Sequence, residues 1–312
     1  MAELVKNPKQ NKKFTFGKLE GSEVAFKIFS YFFITVFALA CIYPLIYAIS
    51  SAISGRVAVE NGTIVLFPVD IQFEAFAQVI LNKTFWIGYC NTLFVTVYGT
   101  VYCMILSILG AYTLSKKRLV GNKFLNFLLI FTMWFSAGVI PVYLNYLDTR
   151  GILSSIGIGD QKWLIVIAMG MSAFNVILLR NSFEAVPKEI EEAATVDGAN
   201  DFQIMSKIYV PMSKATIATV ALFYGISRWN GYFWAMKTVS NTNDLPLQVI
   251  IQQQIANVEQ QIAEGGTLST GVYAMQSVSY CMIICAIIPI FIIYPFIQKY
   301  FATGVNVGGV KE

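Results

Sequence analysis

The chain has 312 residues, 56% of them hydrophobic and 13% charged, with a formal net charge of +4. Soluble domains carry about 25% charged residues, so this composition argues against a water-soluble globule, and so small a net charge does not suggest a nucleic-acid partner. There is no histidine, and the five cysteines (Cys41, Cys90, Cys103, Cys281 and Cys285) are scattered through apolar stretches. Neither a metal centre nor a histidine-dependent catalytic triad is expected.

Residues 1–27 are polar and lysine-rich and read as a cytoplasmic N-terminal segment. The uncharged stretch 28–55 starts too late and runs too long for a cleavable signal, whose apolar core spans about 7–15 residues; it reads as a retained anchor. Further apolar stretches occupy 84–115, 124–147, 163–179, 215–236 (broken by Arg228) and the uncharged region 265–298. A spanning helix needs roughly 17–25 apolar residues, and none of these stretches alternates with period two. The predicted fold is therefore all-α and integral to the membrane, with six transmembrane helices. Pro44, Pro289 and Pro295 are expected to kink the first and sixth. The outer connections 56–83 and 237–270 read as long loops, the second rich in Gln and Asn.

Lys and Arg set the orientation. Sixteen of the 22 fall on one side: six in the N-terminal segment, Lys116, Lys117, Arg118 and Lys123, then Arg180, Lys188, Lys207 and Lys214, then Lys299 and Lys311. The positive side is cytoplasmic, so both termini are predicted inside. The expected division is 1–27 cytoplasmic, 28–300 a six-span domain, and 301–312 a cytoplasmic tail.

The connection 182–214 between the fourth and fifth spans is long for a compact protein. Pro187 suits a first helical position, and Lys188-Glu189-Ile190-Glu191-Glu192 puts acid where the helix dipole favours it. Ile190, Ala193, Ala194 and Asp197 share a face. Gly198 is placed to end that helix in a left-handed conformation, Asp201 to cap a second one, and Pro211 to stop it.

Glu192-Ala193-Ala194, three residues, Gly198, nine residues, and Ile208-Tyr209-Val210-Pro211 resemble the EAA motif of bacterial ABC-importer permeases, with Val210 where leucine is usual. Tyr43-Pro44-Leu45, Asn91-Thr92-Leu93, Ile140-Pro141 and Trp229-Asn230 extend the resemblance over nearly the whole chain, toward the maltose-permease-like carbohydrate branch. The stretches 132–138 and 245–248 are similar to Gram-positive permeases for complex oligosaccharides. The resemblance implies a coupling helix, carried by Glu192, Ala193, Ala194, Gly198, Ile208 and Pro211, that docks on an ATPase. It also implies a second homologous permease subunit, two ABC ATPase subunits, an extracellular solute-binding lipoprotein and an oligosaccharide substrate. The chain itself then needs no cofactor, with ATP and Mg on the partner ATPase. No phosphate-loop motif occurs in this sequence.

Candidate pathway residues have two readings each. Arg228 is an intramembrane charge that binds sugar hydroxyls or a carboxylate, or else snorkels to the interface. Trp229, Asn230, Tyr232, Phe233 and Trp234 form either a sugar-stacking cluster or an interfacial aromatic belt. Asn91 and Asn175 either bond neighbouring helices or touch substrate. The rival function is a stand-alone secondary transporter or channel, which leaves the cytoplasmic motif unexplained.

Overall fold

The computed structural model describes residues 21–264 and 273–304. In chain order it comprises α1 (Gly21–Ala52), α2 (Arg56–Glu60), α3 (Glu74–Leu81), α4 (Lys83–Ser115), α5 (Asn122–Trp134), α6 (Val139–Ser155), α7 (Lys162–Ala168) and α8 (Ala173–Glu184). Then come α9 (Lys188–Val196), α10 (Asp201–Ile204), a π-helical turn (Met205–Tyr209), α11 (Val210–Met212), α12 (Lys214–Trp229), α13 (Phe233–Thr238), α14 (Leu247–Ala263) and α15 (Met275–Gly304). Among the described residues the only β pairing is an isolated bridge between Ser54 and Ile71.

Helix α4 is the hub. Asn82 caps it, accepting from the N–H groups of Thr84 and Phe85 at 2.9 and 3.2 Å. Its buried positions, Phe85, Gly88, Thr92, Val95, Gly99 and Cys103, recur every three or four residues on one face, the helical period. The opposite face exposes Val97, Val101 and Ile105 at 56, 53 and 54%. A helix apolar all round, with small residues on the packed side, is built for lipid outside and close helix approach inside. A Cβ at Gly88 would collide with Ile250 Cδ1 and stand 3.3 Å from the Leu247 backbone. Beside it Thr92 Oγ1 accepts from Leu247 N–H at 2.7 Å. Asn91 donates to the carbonyls of Asn243 and Leu245 at 2.7 and 3.0 Å, which ties α4 to the turn before α14.

The predicted third and fourth spans are broken. α5 and α6 meet at 112° and α7 and α8 at 54°. Glycines make both turns: Gly138 has φ +87° and Gly170 φ +61°, a region other residues adopt at a cost. The predicted fifth span is shorter than expected, because α12 ends at Trp229 after 16 residues and α13 starts beyond the Asn230–Tyr232 turn. Among the described residues, three helices are long and apolar enough to cross a membrane, Glu23–Ala52, Lys83–Ser115 and Met275–Pro295, or up to five spans if each bent pair is one. Helices α1 and α15 run through Pro44 and through Pro289 and Pro295. The outer connections are partly helical: the first holds α2 and α3, and Gln252 to Gln261 of the second lie within α14, while its residues 265–270 lie outside the described residues. Lys6, Lys9, Lys12, Lys13, Lys18 and Lys311, which contribute to the charge-based orientation, lie outside the described residues, as do the ends of the 1–27 and 301–312 segments.

Candidate functional site

The segment after α8 folds back beneath the ends of α4 and α8. Pro187 precedes α9 as its N-cap rather than opening it, and Glu189 and Glu191 occupy the first turn. The helix ends in a Schellman closure. Ala199 N–H reaches Ala194 O at 3.0 Å, Gly198 N–H reaches Thr195 O at 3.1 Å, and Gly198 has φ +80°. No atom lies within 4 Å of the position a Gly198 Cβ would take, so the turn is open to the outside. Asn200, not Asp201, caps α10: its side chain accepts from Gln203 N–H, and the Gln203 side chain accepts from Asn200 N–H, a capping box with an amide in place of the usual acid. Asp201 is free for another use, described below.

Pro211 does not stop this second helix at once. Having no N–H, it cannot bond the carbonyl of Lys207, and the chain widens to a π-helical turn in which Val210 N–H reaches Met205 O. The break comes two residues later, at Ser213, before α12. Of the motif residues, Glu192, Ala193, Gly198 and Pro211 are exposed, while Ala194 and Ile208 are half-buried against the core around Tyr112, Phe183 and Tyr209. Val196 and Phe202 flank the turn at 87 and 68% exposure.

What holds this module to the membrane helices is a clasp that the sequence did not single out. Lys116, the C-cap of α4, places its ammonium 2.7 Å from Glu191 Oε1, and the Tyr209 hydroxyl donates to Glu191 Oε2 at 2.6 Å. The ammonium also lies 3.9 Å from the centre of the Tyr209 ring and 4.3 Å from that of Tyr112, and those rings meet edge-on. The Tyr112 hydroxyl donates to Asp201 at 3.3 Å, and Arg118 pairs with the same carboxylate. Burial pushes the Glu191 carboxyl up, but the bonds from Lys116 and Tyr209 outweigh it and hold its pKa below the ordinary 4.5. Burial draws the Lys116 ammonium below its ordinary value, and Glu191 returns only part of that. The Tyr209 hydroxyl is pushed up, first by burial and then by the carboxylate it serves. Sequence reading had Lys116 as one loop charge among several and Glu191 as a first-turn acid; only folding brings together residues 75 positions apart.

The predicted pathway residues do not form one cluster. Arg228 neither snorkels nor stands free. It is 4% exposed, and its guanidinium donates to Ile165 O at 2.9 Å and Gly170 O at 3.0 Å and lies 2.9 Å from Cys103 Sγ. One turn earlier on α12, the Tyr224 hydroxyl accepts from Ser172 N–H at 3.0 Å and shares a 2.7 Å bond with Ser107. The two α12 side chains thus clamp both sides of the α7–α8 break, with a cation at the carbonyl end, where the dipole favours it. Gly99 makes room, since a Cβ there would stand 3.1 Å from Arg228 Cδ and Nε. Trp229 is buried edge-on against Tyr89, Asn230 is exposed with its amide on Ile226 O, and Tyr232 is 41% exposed. Asn91 serves helix packing as described. Asn175, 5% exposed, lines a cavity of about 430 Å³ at the break with Arg228, Tyr224 and Ser227.

The sequence profile of the binding-protein-dependent transport system inner membrane component matches residues 23–307. The chain belongs to that family. The permease is 35% identical to the polygalacturonan/rhamnogalacturonan transport system permease protein YtcP of Bacillus subtilis (strain 168) over 92% of its own length and 98% of that protein. It is 32% identical to Protein LplC of the same strain, over 86 and 89%. Among solved structures, a chain of a bacterial ABC transporter that imports the acidic polysaccharide alginate aligns with TM-score 0.80 and 43% identity, covering 91% of the permease and 99% of that chain.

Proposed function

We propose that the permease is one of two homologous membrane subunits of an ATP-driven oligosaccharide importer in the bacterial plasma membrane. It crosses six times with both termini cytoplasmic; 1–27 and 301–312 are cytoplasmic, and 28–300 form the permease domain. An extracellular solute-binding lipoprotein delivers the sugar. Two ABC ATPase subunits, which carry the ATP and Mg, dock on the 182–214 module through Glu192, Ala193, Ala194, Gly198, Ile208 and Pro211. The observation that carries this reading is the α9–Gly198 turn: open on its outer side and anchored on its inner side to α4 by Lys116, Glu191 and Tyr209. Anchorage of that kind passes a push on the turn into α4, which packs against α3, α5, α7, α8, α12 and α14. The sugar class follows the relatives, whose names specify polygalacturonan, rhamnogalacturonan and alginate.

The test is to purify the tagged chain in mild detergent from its native membrane and identify its companions by mass spectrometry. An ATP-binding cassette subunit and a second permease are expected with the wild type. In Gly198→Asp the ATPase is lost, because aspartate adds charge and backbone strain at the turn. A chain that emerges alone, with the variant unchanged, puts the stand-alone transporter first.

A further inference from the structure

The cavity at the α7–α8 break has an unusual balance of polar groups. Helix α8 begins there with no side-chain cap from Ser172 on its first-turn N–H groups, and Ser172 and Asn175 both line the space. An open helix N-terminus attracts anions. Asn175 is 95% buried, lines this space, and makes no side-chain hydrogen bond among the described residues. Arg228 adds a buried full charge. It commits donors to two carbonyls and the cysteine sulfur out of five available, and no carboxylate pairs with it among the described residues. None of the residues lining the cavity is acidic. An unpaired cation in a membrane helix is costly and points to a function. The neighbouring surface at Met171 and Phe174 is 48 and 51% exposed, so the space is reachable from outside the chain, and its volume lies in the range of small-ligand sites.

We propose that this cavity is a subsite for a carboxylate on the transported sugar, that is, for an oligosaccharide bearing uronate groups. The inference rests on the importer reading above. Arg228 supplies the charge, the α8 N-terminus the dipole, and Asn175 a neutral donor that fixes position.

The measurement uses the assembled importer purified without its lipoprotein. Binding of trigalacturonate is compared with binding of its fully methyl-esterified form, which keeps the hydroxyls and loses the charges. The wild type is expected to bind the acidic trimer at least about tenfold more tightly, the scale of one charge-assisted hydrogen bond. In Asn175→Asp, which sets a like charge beside the bound carboxylate, that preference disappears or reverses. Equal binding of the two forms by the wild type, binding of neither, or a preference that survives in Asn175→Asp overturns the subsite. The wild-type comparison stands even if the variant fails to fold. Copurification of the ATP-binding subunit, scored on the same preparation, separates any of these results from a failure of the importer reading.

Discussion

Lys116 ties the 182–214 module to the end of α4 through Glu191 and Tyr209. Its side chain is 9% exposed in the ion pair, and a buried charge that loses its partner destabilises by several kcal/mol. Glu191→Gln leaves the ammonium with two ring faces and no carboxylate. The amides of 188–209 are therefore expected to exchange hydrogen at least about tenfold faster, as loss of a charge-assisted bond of about 1.5–3 kcal/mol requires. Lys116→Met together with Glu191→Gln should cost less than the two single changes summed; strict additivity in hydrogen exchange would show that the pair is not coupled. The pH dependence has a definite sign. Glu191 titrates below its ordinary 4.5 in the folded protein, so its contribution is fully present above that value. It is lost as pH falls through the lowered folded value. Glu191→Gln should abolish that acid-side rise in exchange.

At the scale of elements, the apolar runs that mark helices were plain in the sequence, and the breaks inside them were not. Gly138 and Gly170 each sit among residues so apolar that a spanning-length window averages the turn away. What reveals the break at Gly170 is its partner: Arg228 reaches its carbonyl, Tyr224 takes the N–H of Ser172, and both come from α12. The end of α9 was legible because Gly198 has one physical job there, a left-handed C-cap. The cap of α10 was misplaced by one residue because Asn and Asp serve that position about equally, and Asp201 was committed to Tyr112 and Arg118. The outer segment reads as loop in sequence because its glutamines mask a helix that buries Leu247, Ile250, Ile251 and Val258 on one side. That helix rests on Gly88. Gly88→Ala is expected to destabilise the α4–α14 contact by about 1–3 kcal/mol, since Ile250 is able to swing away but the Leu247 backbone is not. A lowered melting temperature of the purified permease would register it; an unchanged one would mean the contact yields freely.

Over the whole molecule, α1 exposes most of its apolar side chains, Phe29, Phe32 and Phe37 among them at 61, 63 and 72%, and packs chiefly along α15, where Tyr47 meets Tyr280 edge-on. Such a surface needs lipid or protein over it. The long apolar helices, the family and the permease role were legible in the sequence, because hydropathy and one spaced motif carry them. The pathway was not, since Arg228, Trp229 and Asn230 are adjacent in the chain but turn to three different surroundings. Docking at the α9–Gly198 turn is tested in intact membranes by a photo-crosslinking amino acid in place of Val196, 87% exposed at its edge. The expected product is an adduct with the ATP-binding subunit, absent when the same probe replaces Ile152 on α6. No such adduct from Val196, or one from Ile152 instead, would contradict both the docking site and the orientation.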